Sequence, residues 1–155
     1  MSEKLIINTK DSEEGKNIEF IGPIDEDSSF DEISNLGSNN IIFDFEKVTL
    51  INSCGIREWV KFIEGLDSEI SFSYRNCRQI IIEQINMVKG FIRDGAKVDS
   101  FYAPYYCESC DKEFKIPLKY SQISERKAPV VNCPECEKNE LEFDAIEAQY
   151  FQFIK

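Results

Sequence analysis

Four cysteines stand in two Cys-x2-Cys pairs, Cys107 with Cys110 and Cys133 with Cys136, and 22 residues separate the pairs. Each pair brings two sulfurs to one point, and two such turns supply the four soft ligands of a tetrahedral ion. Zinc suits both that geometry and thiolate ligands. The competing readings are two disulfides or a thioredoxin-like redox pair. Disulfides are rare in a reducing cytoplasm, and neither pair falls at a strand-to-helix turn. The spacing therefore predicts a structural Zn2+ held by Cys107, Cys110, Cys133 and Cys136, with no open position for chemistry.

A second group of reactive types is Asn52-Ser53-Cys54-Gly55, where a strand-like pattern gives way to a helical one. Small polar residues at such a junction cap the helix by accepting bonds from free backbone amides. The same amides and the positive end of the helix dipole would also receive a phosphoryl group on Ser53, adding nearly two units of negative charge. A helix N-terminus lowers a thiol pKa, but the expectation for Cys54 is a small buried residue packed under the helix. Cys77 has no evident partner and reads as core or surface filler. Trp59 reads as packing, and Asp25-Glu26-Asp27 as a solvated acidic loop. The chain has no histidine, which removes Ser-His-Asp and Cys-His catalysis, histidine ligation and histidine pH switching.

The elements that must position these groups follow from periodicity. Residues 4–9 form a short strand, and Ile18, Phe20 and Gly22 a second that ends at Pro23. A short helix carries Phe30, Ile33 and Leu36 and stops at Gly37. Ile41 to Phe45 is a dense strand that Val48 to Ile51 continues. Ile56, Trp59, Val60, Ile63 and Leu66 then follow helical spacing. Ile70, Phe72 and Tyr74 alternate as a strand. Ile81, Ile85, Val88 and Ile92 mark a second helix ending near Gly95, and Val98 to Tyr106 one further strand. Strands alternating with helices predict an α/β layer with helices on a mostly parallel sheet. We place it at residues 1–104. Residues 105–155 differ: knuckle, a strand through Phe114, Ile116 and Leu118, a return strand at Val130 and Val131, and a second knuckle outline a zinc ribbon. A C-terminal helix over 144–154 packs back through Ile146, Tyr150, Phe153 and Ile154.

Charge narrows the functions. Eighteen Lys and Arg against 29 Asp and Glu give a net charge of −11. Nucleic-acid affinity depends on cations that displace phosphate counterions, so this balance opposes it. The ribbon half alone has seven basic and ten acidic residues. An anionic membrane surface is opposed equally. No run reaches the ~20 apolar residues of a membrane span, and the N-terminus lacks signal-peptide order. The expected location is cytoplasmic.

Gly22-Pro23-Ile24-Asp25, the strand Ile41 to Phe45, and Val48 through Asn52-Ser53-Cys54-Gly55-Ile56 resemble the STAS domain of bacterial anti-sigma-factor antagonists. That pattern runs Gly-x-Ile-Asp, an apolar strand ending in Asp, then Asp-Ser-x-Gly at a helix start. The resemblance covers about the first hundred residues. It implies a STAS-like mixed sheet with helices packed on it, no enzymatic activity, and a protein partner, an anti-sigma-type serine kinase. It further implies that Ser53 is the phosphorylated serine, that Gly55 matches the family glycine, and that Asp25 and Asn52 border the partner surface. Asn52 departs from the family aspartate. Two alternatives stand beside this reading: a constitutive scaffold or ligand sensor without phosphorylation, and a zinc-ribbon nucleic-acid-binding protein.

Overall fold

Ile41, Phe43 and Phe45 put one wholly apolar face on a strand, because side chains at every second position share a side. In the computed structural model, which describes residues 4–33, 37–137 and 139–154, this is the central strand of a five-stranded mixed sheet. Strands β1 (Ile6–Ser12) and β2 (Gly15–Ile24) form an antiparallel hairpin. Then β2, β3 (Asn40–Ile51), β4 (Ser71–Arg75) and β5 (Lys97–Val98) run parallel, in the order β1-β2-β3-β4-β5. Helices α1 (Ser53–Gly65) and α2 (Gln79–Met87) lie within the crossovers. Because sheet order follows chain order, right-handed crossovers put both on one face. Ile18, Phe43, Tyr74 and Val98 stand in register across the four parallel strands, and all are buried.

Against β2, strand β3 carries an extra residue after Phe45 and another after Val48, where the register shifts. Such bulges turn the strand locally. They bury both Phe45 and Val48, three positions apart, and leave Thr49 and Leu50 outside. The core is aromatic. Trp59 of α1 meets Phe20, Phe43 and Phe45 at ring-centroid distances of 5.4, 5.0 and 5.6 Å. The carbonyl of Phe91 accepts from both Trp59 Nε1 (3.0 Å) and the Tyr74 hydroxyl (2.6 Å), so both buried polar tips are satisfied.

A second sheet has the order β7-β6-β8, all antiparallel: β7 (Lys112–Lys119), β6 (Ser100–Cys107) and β8 (Glu142–Phe143). The two sheets meet where Cys77 pairs in parallel with Phe101, through Cys77 N to Ser100 O (3.2 Å) and Tyr102 N to Cys77 O (2.9 Å). Helix α2 packs on β6 and on α3 (Glu147–Tyr150). Phe143 stacks on Phe151 at 5.2 Å, and Phe101 meets Phe151 and Phe153. One continuous buried cluster therefore joins both sheets. The boundary placed after residue 104 falls inside β6.

Several elements differ from their sequence patterns. The strand expected over 98–106 is two strands in two sheets, parted at Asp99, whose amide bonds to Tyr74 O while its carbonyl accepts from Tyr120 N. Helix α2 stops at Met87 rather than near Gly95, because Gly90 turns the chain at φ +90° and Phe91 is drawn to Trp59 and Tyr74. The helix sought at Phe30 and Ile33 is a single 3-10 turn, Asp31–Ile33, and Leu36 lies outside the described residues. No strand forms at Val130, which is 75% exposed; the third strand of this sheet, β8, follows the second cysteine pair. The C-terminal helix is one turn, with Tyr150, Phe151 and Ile154 buried and Ile146 exposed.

The aromatic core yields a graded expectation. Trp59→Ala should cost about 3–5 kcal/mol, since no small side chain fills that volume. Tyr74→Phe should cost only about 1 kcal/mol, because Phe91 O keeps its bond from Trp59. Urea unfolding of the two variants checks both values.

Candidate functional site

The residue after each cysteine pair, Asp111 and Glu137, is left-handed, at φ 50° and 57°. This reverses the chain at the same point of both turns and aims two sulfurs inward. Cys136 N donates to Cys133 Sγ (3.5 Å), and Glu137 N to Cys133 O (2.9 Å). The four sulfurs lie within 4.8 Å of one another. Cys107 Sγ to Cys136 Sγ and Cys110 Sγ to Cys133 Sγ are each 3.8 Å. A tetrahedron with metal–sulfur bonds of about 2.3 Å has edges of about 3.8 Å, whereas a disulfide needs about 2.0 Å. The close pairs run between the turns, not within them, and all four thiols are free. The cluster can hold a metal ion.

Without a cation such a cluster resists ionisation. The Cys110 thiol is pushed up to about 12, first by its hydrogen bond to Cys107, then by burial and by the bonds to Cys133 and Cys136. A bound cation inverts that preference. Cys107 and Cys133 are buried, while Cys110 and Cys136 are half-buried. Around them Lys112 pairs with Glu135 across the two turns, Asn139 bonds Ser109, and Tyr106 bonds Asp111. The exposed rim adds Glu108 and Glu137. Four thiolates close the coordination sphere, so the ion would organise the turns and do no chemistry.

The residues singled out around Ser53 also converge, for a topological reason. β2 and β3 are adjacent and parallel, so their carboxyl ends, Ile24 and Ile51, bring Asp25 and Asn52 to one edge. Asn52 caps α1: its Oδ1 accepts from Gly55 N at 2.9 Å. Its Nδ2 donates to Glu26 Oε2 at 2.7 Å, a bond an aspartate could not give. Gly55 is fixed by sterics, since a Cβ there would meet Ile24 O at 2.2 Å. Ser53 is exposed on the first turn of α1. Cys54 is exposed too, correcting the expectation of a buried thiol: Gly55, Trp59 and Ile63 take the inward face, four residues apart, and Cys54 falls outside it. Cys77 is wholly buried, and its thiol is pushed up by desolvation and by Asp44 and Asp99.

Ser28 is buried and organises the acidic loop. Its Oγ accepts from Asp25 N (2.8 Å), and Ser28 N donates to Asp25 O (3.0 Å). The Asp-x-x-Ser spacing was its one visible trace. Asp25 Oδ1 in turn accepts from Asp27 N at 3.0 Å. Glu26 is held below the usual carboxylate range by a backbone hydrogen bond and then by Asn52.

No protein-family model, curated protein or solved structure matches this chain. Among the described residues no helix is long and apolar enough to cross a membrane.

Two outcomes follow from these geometries. Cys110→Ser, or a chelator added to metal-loaded protein, should raise hydrogen exchange at residues 107–112 and 132–137, while Trp59 fluorescence stays native; a structural metal site of this kind contributes on the order of 10–16 kcal/mol of apparent binding energy. Asn52→Asp should keep the cap but raise the Glu26 pKa, readable by carboxyl NMR titration. The depressed Glu26 pKa contributes stability above its unfolded value, near 4.3, and loses it as pH falls through the folded value. The variant should lose the share of that contribution that Asn52 supplies, while the larger share from the backbone hydrogen bond remains.

Proposed function

We propose that this chain is a non-enzymatic regulatory module that binds a protein partner through the surface around Ser53, in the manner of bacterial anti-sigma-factor antagonists. The observation that carries the reading is the exposure of Ser53 on the first turn of α1, at the carboxyl ends of β2 and β3 and beside Asp25 to Asp27. The sequence likeness to STAS domains, from Gly22-Pro23-Ile24-Asp25 through Asn52-Ser53-Cys54-Gly55, supports the assignment, as does the run of hairpin, parallel strands and crossover helices. A phosphoryl group on Ser53 would meet free amides of α1 and a rim that is already acidic. It would thus add charge where a partner must approach. The kinase or scaffold that occupies this face in the unmodified state would be released.

The metal in this reading is zinc, one per chain, bound by Cys107, Cys110, Cys133 and Cys136. A closed set of four cysteine sulfurs, all within 4.8 Å of one another and with two S···S edges of 3.8 Å, suits it. The acidic rim of Glu108, Asp111, Glu135 and Glu137 supports a protein-binding or structural ribbon over one that grips nucleic acid.

Phosphopeptide mapping of protein isolated from its own host tests the switch. Phosphate at Ser53, with Ser53→Ala retaining a co-purifying partner that Ser53→Asp releases, is the expected result. Absence of phosphate under every growth condition overturns the switch and favours a constitutive scaffold. Elemental analysis should find one zinc per chain, and iron in its place would overturn that assignment.

A further inference from the structure

Away from both sites, a cleft of about 660 Å³ opens between the segment that follows α2 and the C-terminal tail. Sites for small organic molecules commonly measure about 300–1,000 Å³, with mostly apolar walls and a few placed polar groups. Here the walls are Ile85 of α2, Ile92, Val98 of β5 and Phe153. Ile92 and Phe153 pack on the core yet stay half-exposed, so apolar surface faces the opening.

The charges lining the cleft are not equivalent. The Arg93 guanidinium is already used: it donates to the carbonyls of Ile63 (2.7 Å), Leu66 (2.6 Å) and Asp67 (2.7 Å) and lies 4.8 Å over the Phe72 ring. Asp99 is paired with Arg75 at 3.1 Å. Asp94 sits exposed on the turn before Gly95. Lys97 and Lys119 stand exposed, and among the described residues neither is in an ion pair. In a chain of net charge −11, the lining carries Arg93, Lys97 and Lys119 against Asp94 and Asp99, so the cleft keeps a local excess of one positive charge beside its apolar walls.

We propose that this cleft binds an amphipathic organic anion, a medium-chain carboxylate whose hydrocarbon body lies on Ile92, Val98 and Phe153 and whose carboxylate sits at the Lys97 and Lys119 rim. Apolar burial supplies most of the affinity. The ammonium groups distinguish the anion from its neutral counterpart. The cleft joins elements of both sheets, so occupancy would tie the α2–β5 segment to the C-terminal tail. The inference is independent of the Ser53 reading.

Titration of the 15N-labelled, metal-loaded protein with sodium octanoate tests it, with 1-octanol as the neutral probe. The expected result is saturable binding with amide shifts centred on Ile92, Lys97 to Asp99, Tyr120 and Phe153. The double variant Lys97→Glu/Lys119→Glu should weaken octanoate about tenfold and leave 1-octanol unchanged. Ala96→Phe, which fills the cleft, should abolish both. Shifts that never saturate or that scatter over the surface would overturn the proposal. So would 1-octanol binding as tightly as octanoate, or an octanoate affinity that the double charge reversal leaves intact.

Discussion

The pairing of Cys77 with Phe101 is the constraint on which the rest of the molecule turns. After β4 the chain must leave its strand, and Asn76 does so in the left-handed conformation, at φ 53°, with its amide bonded to Ser100 Oγ (2.9 Å) and its side chain to Asp44 (3.1 Å). That turn lays Cys77 along β6, so the strand that leads into the first cysteine pair is also packed against the α/β layer. Tyr102 adds a second tie, from its hydroxyl to Glu46 Oε1 at 2.6 Å, and that bond, with burial, pushes its own pKa up to about 12. The first cysteine turn therefore projects from a strand anchored at its other end.

Acidity is concentrated around both sites, and in each a neutral or cationic neighbour offsets it locally. At the α1 junction the neighbour is Asn52, which offers Glu26 a donor in place of a second carboxylate. At the cysteine cluster it is Lys112, which bridges to Glu135 on the opposite turn. On the reading proposed above, the surface around Ser53 is already negative and favours a basic partner face. A phosphate added there would compound the negative charge near Glu26 while gaining helix amides, so the modification would alter partner contact more than it would disturb α1.

What could be read from the sequence was local. Paired cysteines at two-residue spacing identify two two-thiol turns, because a tight turn fixes its own pair of sulfurs wherever it is placed; the fold then set the two turns face to face, with sulfurs 3.8 Å apart between them. Alternating Ile41, Phe43 and Phe45, and Trp59 to Ile63 at helical spacing, identify β3 and α1 because a buried face demands that periodicity. Asn52 before a helical run identifies a cap for the same kind of reason. Tertiary structure decided matters that involve distant partners. Phe91 ended α2 early by serving Trp59 and Tyr74. Two bulges in β3 chose which residues face inward. Asp99 split one apparent strand between two sheets, and Ser28 and Glu26 acquired roles only through Asp25 and Asn52. Periodicity records which face of an element is buried, but it carries no information about what that face is buried against. Shared strands, orphaned carbonyls and bulged registers are settled only when the elements meet.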